Sequence, residues 1–576
     1  MRPVKRSLTL VLVLLATSAC ALRGPRPPVH VVIVGTTDVH GWFNGHVETP
    51  PGGGEGVLWG GLPVLATHVE ALREQHGGRV LLVDSGDMFQ GTLESNMFEG
   101  EAVVRGYNAM GYTAAAVGNH EFDFGPVGPE PIPRKPGDDP LGALKRNAEL
   151  AMFPMLSANM KEKSTGQTPS WAKPSILVRA GTARIGIIGL STPDTPAVTM
   201  GVNVESLSFT NPVEATVAEA RKLRAMGADA VIVIAHIGGR CTDMSDEHSL
   251  AKCETQQEAM ELLNALPQGT IDAFFAGHTH ANMRHYVNGV ATVQGLAMSR
   301  EFSTVDLWID TRNNRVTKSE MRMPTMICSF VYEGTQSCDP RTAVKGAKLV
   351  PRVFNGERMN PDTRVAAVLD PFLRRVASKR EQKVGIATTA AFPRVFAAES
   401  ALGNLLADVL RRSAGADVGI MNSGGIRAEL PAGELTYGDV FAVSPFDNYP
   451  SLAILTGAQL IELLRSTTTG QRGIMQVSGI RYTYDASKKG LERFVSVVRE
   501  DGSAIIEDKL YTVIMPDFIA GGGDGAEVMK TVAADRIQTS FASSIRDVLI
   551  EQLAGQDKAL EPKTEGRIIV LNKPAP

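Results

Sequence analysis

The sequence predicts an α/β fold divided between two domains, on three observations. At 576 residues the chain is too long for one ordinary hydrophobic core. Its first part alternates short β-rich runs with helical patterns. A charged amphipathic segment near residues 361–381 then interrupts the series, and helix and strand patterns resume beyond it.

The β-rich runs are VHVVIVGTTD, VLLVDSGD, AAAVGNHE, ARIGIIGLST, AVIVIAHIG and DAFFAGHTH. Each is a nearly continuous apolar stretch, the pattern of a strand covered on both faces, and each ends in Gly and polar residues. LPVLATHVEALREQ, between the first two, reads as a helix. Val365, Val368, Leu369, Phe372 and Val376 recur at helical spacing beside Arg374, Arg375, Lys379 and Arg380, which predicts a linking helix over 360–382. Leu402, Leu405, Leu406, Val409 and Leu410 mark a further helix, followed by the strand-like DVGIM. The sequence shows no internal repeat and no low-complexity segment.

Composition narrows the class. Hydrophobic residues at 43% and charged residues at 21% describe a globular chain. With 58 basic and 62 acidic residues the net charge is -4, which predicts no nucleic-acid footprint. No protein partner is predicted either. Arg2, Lys5 and Arg6 precede the apolar stretch Leu8 to Ala16, which ends in Thr17-Ser18-Ala19-Cys20. That ending resembles a bacterial lipobox, except that Thr17 stands where such boxes usually carry Leu. Residues 1–20 are therefore expected to be a lipoprotein signal peptide acylated at Cys20, and 21–28, with Pro25, Pro27 and Pro28, a stiff tether. The protein is expected to be exported and held to a membrane by that lipid, in the periplasm or at the cell surface. No later segment is long and apolar enough to be a transmembrane helix. Four cysteines remain, and two local disulfides, Cys241 to Cys253 and Cys328 to Cys338, are the simplest of three pairings. A four-cysteine metal site is the alternative, but neither pair has the short CxxC spacing of structural zinc.

The chemistry sits where the strands end. TTDVH offers Asp38 and His40, two residues apart, which in extended geometry would point to one side. DSGD offers Asp87, GNHE offers Asn119 and His120, AHIG offers His236, and GHTH offers His278 and His280. Five of the 11 histidines fall in these motifs. Singly each has a plain explanation as a turn, a cap or a core histidine. In open α/β sheets, however, strand carboxyl ends converge on a ligand crevice. Imidazoles and carboxylates suit zinc, manganese or iron, and these are too many for one tetrahedral ion. Two divalent metal ions sharing a carboxylate is the economical arrangement, one that activates a bridging water for in-line displacement.

The ordered set D-x-H, G-D, G-N-H-E, H and G-H-x-H resembles the calcineurin-like metallophosphoesterases. SGDMFQGT, VGNHEFDFG and FPMLSANM are similar to the secreted 5′-nucleotidase branch, which includes UDP-sugar hydrolases and 2′,3′-cyclic nucleotide phosphodiesterases. The resemblance implies a four-layer α/β/β/α sandwich over 29–350 carrying the dimetal centre, and a smaller α/β nucleotide-binding domain over 383–576. It implies that Asp38, His40, Asp87 and His280 hold one metal, and Asp87, Asn119, His236 and His278 the second. It makes His120 the catalytic histidine and Asp123 the group that orients it. Glu121 and Phe122 are expected to be structural.

The C-terminal half adds NSGGIR (Asn422 to Arg427), a glycine loop with an amide and a guanidinium suited to an anion. VSPFDN adds Phe446, and PDFIAGGGDG adds Phe518 and Asp524. By the resemblance, Phe446 and Phe518 sandwich a base, Asp524 accepts from ribose hydroxyls, and Asn422 and Arg427 hold the phosphate or ribose side. Two departures stand out. AAESALGN carries Ala398 where the family has a phosphate-contacting arginine, so Arg394 or Arg472 is a candidate replacement. A Pro/Gly-rich insertion, Pro126 to Asp139, follows GNHEFDFG.

The expected function is metal-dependent hydrolysis of extracytoplasmic nucleotides to nucleoside and phosphate. The alternatives are 2′,3′-cyclic nucleotide or UDP-sugar hydrolysis with the same centre. A thiosulfonate hydrolase of the sulfur-oxidation type shares the fold but is opposed by the paired phenylalanines and GGGDG. A non-catalytic nucleotide-binding lipoprotein is opposed by the full ligand set.

Overall fold

The computed structural model describes residues 27–50, 55–343, 346–470, 472–539, 543–556 and 558–573. The signal segment, Cys20 and the tether up to residue 26 lie outside the described residues. Among the described residues no helix is long and apolar enough to cross a membrane.

Two sheets stack face to face in the N-terminal half. In the first, strands Val29–Thr36, Val80–Asp84, Ala114–Ala116 and Met155–Leu156 run parallel in that order. The antiparallel Glu301–Asp310 closes the other side of Val29–Thr36, with Arg315–Met321 beyond it. In the second, Val290–Gln294, Ala273–Phe275, Ala230–His236 and Ala183–Ser191 are parallel, flanked by antiparallel Met283–Val287 and Ser175–Ala180.

Alternation along the strands sorts side chains into layers. Val31, Ile33, Leu81 and Val83 meet Ile185, Ile187, Ile232 and Ile234 between the sheets. Val32, Val34 and Leu82 turn outward onto helices Leu62–His76 and Glu101–Met110 through Leu65, Val69, Leu72 and Tyr107. Ile188, Val231 and Val233 turn outward onto helices Pro212–Ala225 and Glu258–Ala265. This is the α/β/β/α sandwich that the family resemblance implies, and the apolar continuity of the strands follows from burial on both faces. The sheets come so close at Gly189 that a Cβ would sit 2.3 Å from the Leu156 carbonyl oxygen. Backbone cannot yield there as a side chain could, so glycine is required.

Helix Thr363–Glu381 starts on Asp362, whose carboxylate accepts from the amides of Arg364 (2.8 Å) and Val365 (3.0 Å). Val365, Leu369 and Phe372 join the core beneath the first sheet's helices. Its last turn carries the C-terminal half: the Tyr437 amide donates to the Gln382 carbonyl at 2.8 Å, and the Lys379 ammonium lies 3.9 Å from the Tyr437 ring centre. Beyond it a five-stranded sheet runs Met475–Ser478, Val418–Asn422, Leu510–Pro516, Pro450–Thr456, Ile537–Gln538. Helix Ala401–Ala414, capped by Ser400, packs on one face, and helix Gly457–Thr467 packs on the other through a separate core. Disulfides join Cys241 to Cys253 and Cys328 to Cys338.

Candidate active site

The parallel strands of both sheets end at one edge of the sandwich; His236 is the last residue of its strand, and the other motif residues lie in the first few positions past theirs. The extended geometry expected for Asp38 and His40 does not occur. Strand Val29–Thr36 stops short, and both residues adopt left-handed backbone with φ of 50°. Asp87, His278 and His280 do likewise, at 56°, 77° and 52°. Non-glycine residues rarely take this conformation, and five in one place signify backbone strain held by the surroundings. The strain aims side chains at the centre in a way that strand alternation could not.

Two clusters result. Asp38, His40 and His280 offer donor atoms to one point, and Asp87, His236 and His278 to another. Asp87 Oδ2 lies 3.1 Å from His236 Nε2 and 3.7 Å from His40 Nε2, so one carboxylate faces both clusters. Asn119 joins the second cluster, its Oδ1 3.0 Å from His236 Nε2. The surrounding backbone fixes the tautomers. His40 Nδ1 donates to the Gln90 carbonyl at 2.8 Å and His236 Nδ1 to the Ser85 carbonyl at 3.0 Å, leaving both Nε2 atoms toward the centre.

These contacts fit divalent cations. His236 Nε2 faces Asp87 Oδ2, Asn119 Oδ1 and, at 3.1 Å, His278 Nδ1. His40 and His280 present Nε2 to Nε2 at 2.9 Å. Buried acceptors converging on one another need a cation between them. Burial and mutual charge set the protonation of these groups. Burial pushes the His278 imidazole down to about 3, and burial with nearby His280 holds His40 well below its ordinary range. Burial also opposes charge on His236, but Asp87 overrides it and lifts that imidazole to about 10. Desolvation works against the Asp87 carboxylate too, yet His236 and His120 hold it well below the usual range.

His120 stands apart from the ligand clusters. Its backbone amide donates to Asp87 Oδ1 at 2.8 Å, and its Nδ1 bonds Asp123 Oδ2 at 2.6 Å. Burial disfavours its imidazolium, but Asp123 and then Asp87 outweigh burial and raise its pKa. Its neighbours therefore favour the charged imidazolium beside the shared carboxylate. Glu121 accepts from the amides of Asp87 (2.8 Å), Met88 (2.6 Å) and Gly118 (2.6 Å), pinning two motif loops together, and Phe122 is core.

A cavity of about 710 Å³ opens on this centre, and both halves of the chain line it. Asp87, Asn119, His120, Asp123, His278 and His280 come from the sandwich; Asn422, Arg427, Phe446, Phe518 and Asp524 come from the C-terminal half. Asp38, His40 and His236 form the buried floor behind them. The Phe446 ring centre lies 5.7 Å from that of His120 and 5.5 Å from the Arg427 guanidinium carbon. Asn422 Nδ2 donates to Asp524 Oδ2 at 2.7 Å. Burial and the adjacent Arg394 both pull the Arg427 guanidinium's pKa down. Ala398 contributes only its carbonyl, which accepts from Gln476 at 3.0 Å, whereas Arg394 and Arg472 both line the cavity. Arg394 donates to the Ile426 carbonyl at 2.7 Å, and Arg472 is tied to Asp194 at 2.9 Å. Pro131, from the insertion after GNHEFDFG, is also on the wall.

Sequence reasoning missed Phe396, Thr199 and Asp194, all on the cavity wall. A signal was present for the last two: strand Ala183–Ser191 ends at the same edge as every strand that carries a motif, so the STPDTPAVT that follows it belongs there too.

Comparison with known proteins agrees with this architecture. The calcineurin-like phosphoesterase model matches residues 31–282, and the 5′-nucleotidase C-terminal domain model matches residues 381–531. A cell wall protein of Listeria monocytogenes is 25% identical over 94% of this chain and 69% of its own length. A 5′-nucleotidase of Vibrio cholerae is 26% identical over 86% of this chain and 85% of its own. The crystal structure of a 5′-nucleotidase precursor from Thermus thermophilus superposes with a TM-score of 0.75 at 25% identity, covering 95% of this chain and all of that one. Sandwich, linking helix and C-terminal half are thus matched in order, and the chain belongs to the 5′-nucleotidase family of calcineurin-like metallophosphoesterases.

Proposed function

We propose that the chain hydrolyses nucleotide phosphate esters, releasing phosphate from the nucleoside, with residues 29–350 as the metal-binding domain and 383–576 as the nucleotide-binding one. The observation that carries this is the single cavity in which His120 and the ligand clusters face Arg427, Phe446, Phe518 and Asp524. A phosphate has cationic and proton-donating partners there, and a nucleoside has aromatic faces and a carboxylate.

Asp38, His40, Asp87 and His280 would hold one divalent ion, and Asp87, Asn119, His236 and His278 a second, zinc and manganese both suiting the donors. Such ions, when bound, neutralise phosphate oxygens and lower the pKa of water. The chain's own residues do the rest. His120 Nε2 gives a proton or a hydrogen bond to the phosphate as charge develops, and Asp123 keeps that imidazole charged and oriented. Arg427 and Arg394 supply fixed positive charge on the opposite wall, Arg394 in place of the guanidinium missing at Ala398. Phe446 and Phe518 bind the base by stacking, and Asp524, already bonded to Asn422, accepts from the ribose.

Export and lipid attachment at Cys20 complete the reading. The two disulfides support an oxidising compartment.

The test offers AMP, UDP-glucose and 2′,3′-cyclic AMP in parallel to the metal-loaded protein, with a coupled phosphatase to reveal products that still carry phosphate. Phosphate release from AMP, abolished by chelator, is the expected result. Turnover of only the diester or the pyrophosphate would reassign the substrate while keeping the centre.

A further inference from the structure

The segment Asp194 to Met200 touches the catalytic centre and the C-terminal half at interleaved positions. Toward the centre, the Val198 carbonyl accepts from Asn119 Nδ2 at 3.0 Å, and Thr199 Oγ1 donates to Asp123 Oδ1 at 2.8 Å. Toward the C-terminal half, Arg472 donates to Asp194 Oδ2 at 2.9 Å and to the Ala197 carbonyl at 3.4 Å. Asn448 Nδ2 lies 3.7 Å from Met200 Sδ. The segment's own helix, Thr195–Val198, has four residues and no side-chain cap, so these outside contacts help to hold it.

Asp123 uses its two oxygens for two different partners. Oδ2 takes His120 Nδ1 at 2.6 Å, and Oδ1 takes the Thr199 hydroxyl. A carboxylate held at one oxygen can turn about its terminal torsion, which is broad; one held at both cannot. Thr199 is itself only 3% exposed, so water does not readily replace it.

We propose that Thr199 is a positioning residue for the His120–Asp123 pair, and that Asp194 to Met200 transmits the docking of the C-terminal half to that pair. The inference rests on the reading of His120 as the proton donor. It assigns Arg472 to the link between the halves and makes catalytic alignment depend on the domain that presents the substrate.

Thr199→Val keeps the shape and removes the donor; Thr199→Ser keeps the donor and removes a methyl. In the metal-loaded full chain, Thr199→Val is expected to lower kcat for AMP by about 10–100-fold, the usual cost of losing a partner that orients a reacting group. KM and metal content should stay near wild type, and Thr199→Ser should stay within about threefold of wild-type kcat on the same principle. A packing role predicts the opposite order. Asp194→Ala is expected to lower kcat several-fold in the wild type and to add nothing on Thr199→Val, because both act through one carboxylate. Wild-type kcat in Thr199→Val, or equal losses in the Val and Ser variants, would overturn the positioning role. Independent, additive losses would overturn the transmission. His120→Ala measured alongside separates the two levels: hydrolysis intact in that variant removes the proton-donor reading, and this inference with it.

Discussion

Replacing His120 with Ala should cut kcat for AMP by about 10²–10⁴-fold, the range that a positioned acid contributes, at unchanged metal content. The expectation follows from where the imidazole stands. Its amide is tied to Asp87 and its Nδ1 to Asp123, so Nε2 is the nitrogen left for the cavity. Its neighbours on the metal side already have opposing partners, whereas it faces Phe446 across the wall. The pH dependence should carry its signature. Burial lowers its pKa, but Asp123 and Asp87 raise it further, so the net shift is upward. A raised histidine pKa keeps the donor form at neutral pH and loses it as pH rises through the shifted value. The alkaline limb of kcat should therefore lie above histidine's ordinary range of about 6.5 and vanish from the residual activity of His120→Ala. Full activity in that variant with two metals bound would reassign the donor.

Replacing Asp87 with Ala should be as severe by a different route. Its Oδ2 faces His236 and His40, one imidazole from each cluster, and its Oδ1 holds the His120 amide. One substitution thus removes a ligand from both sites and loosens the donor. Since outer partners alone change metal affinity by 10–100-fold, losing a shared ligand should cost at least roughly 10²-fold. Metal analysis after gel filtration should find fewer than two ions per chain, and AMP turnover should fall to background. Undiminished metal content would show that Asp87 does not bridge.

Much of this was legible in the sequence because burial on both faces leaves a strong signature. The apolar runs ending in DVH, SGD, GNHE, AH and GHTH located strands and the edge where they meet, whereas their order in the two sheets is set by pairings between distant segments. Local backbone was not legible. Alternation placed Asp38 and His40 on one side for the wrong reason: left-handed φ at each, not extended geometry, turns them inward. Nothing in hydrophobic periodicity reports a strained turn, which tertiary contacts impose. Contacts between distant segments were equally hidden. Thr199 on Asp123, and Arg472 on Asp194, join residues 76 and 278 positions apart. The cavity wall likewise depends on how two domains meet, which no local pattern encodes; Ala398 marked the gap, but the position of Arg394 needed the fold.

The most direct test of the whole account is a metal titration of catalysis. Protein stripped with a chelator would receive manganese or zinc in steps while phosphate release from AMP is followed. The account predicts no release from the stripped protein and a rate that saturates at two ions per chain, one for each cluster around Asp87. A rate independent of added metal, or saturation at two ions with no phosphate released, would contradict it.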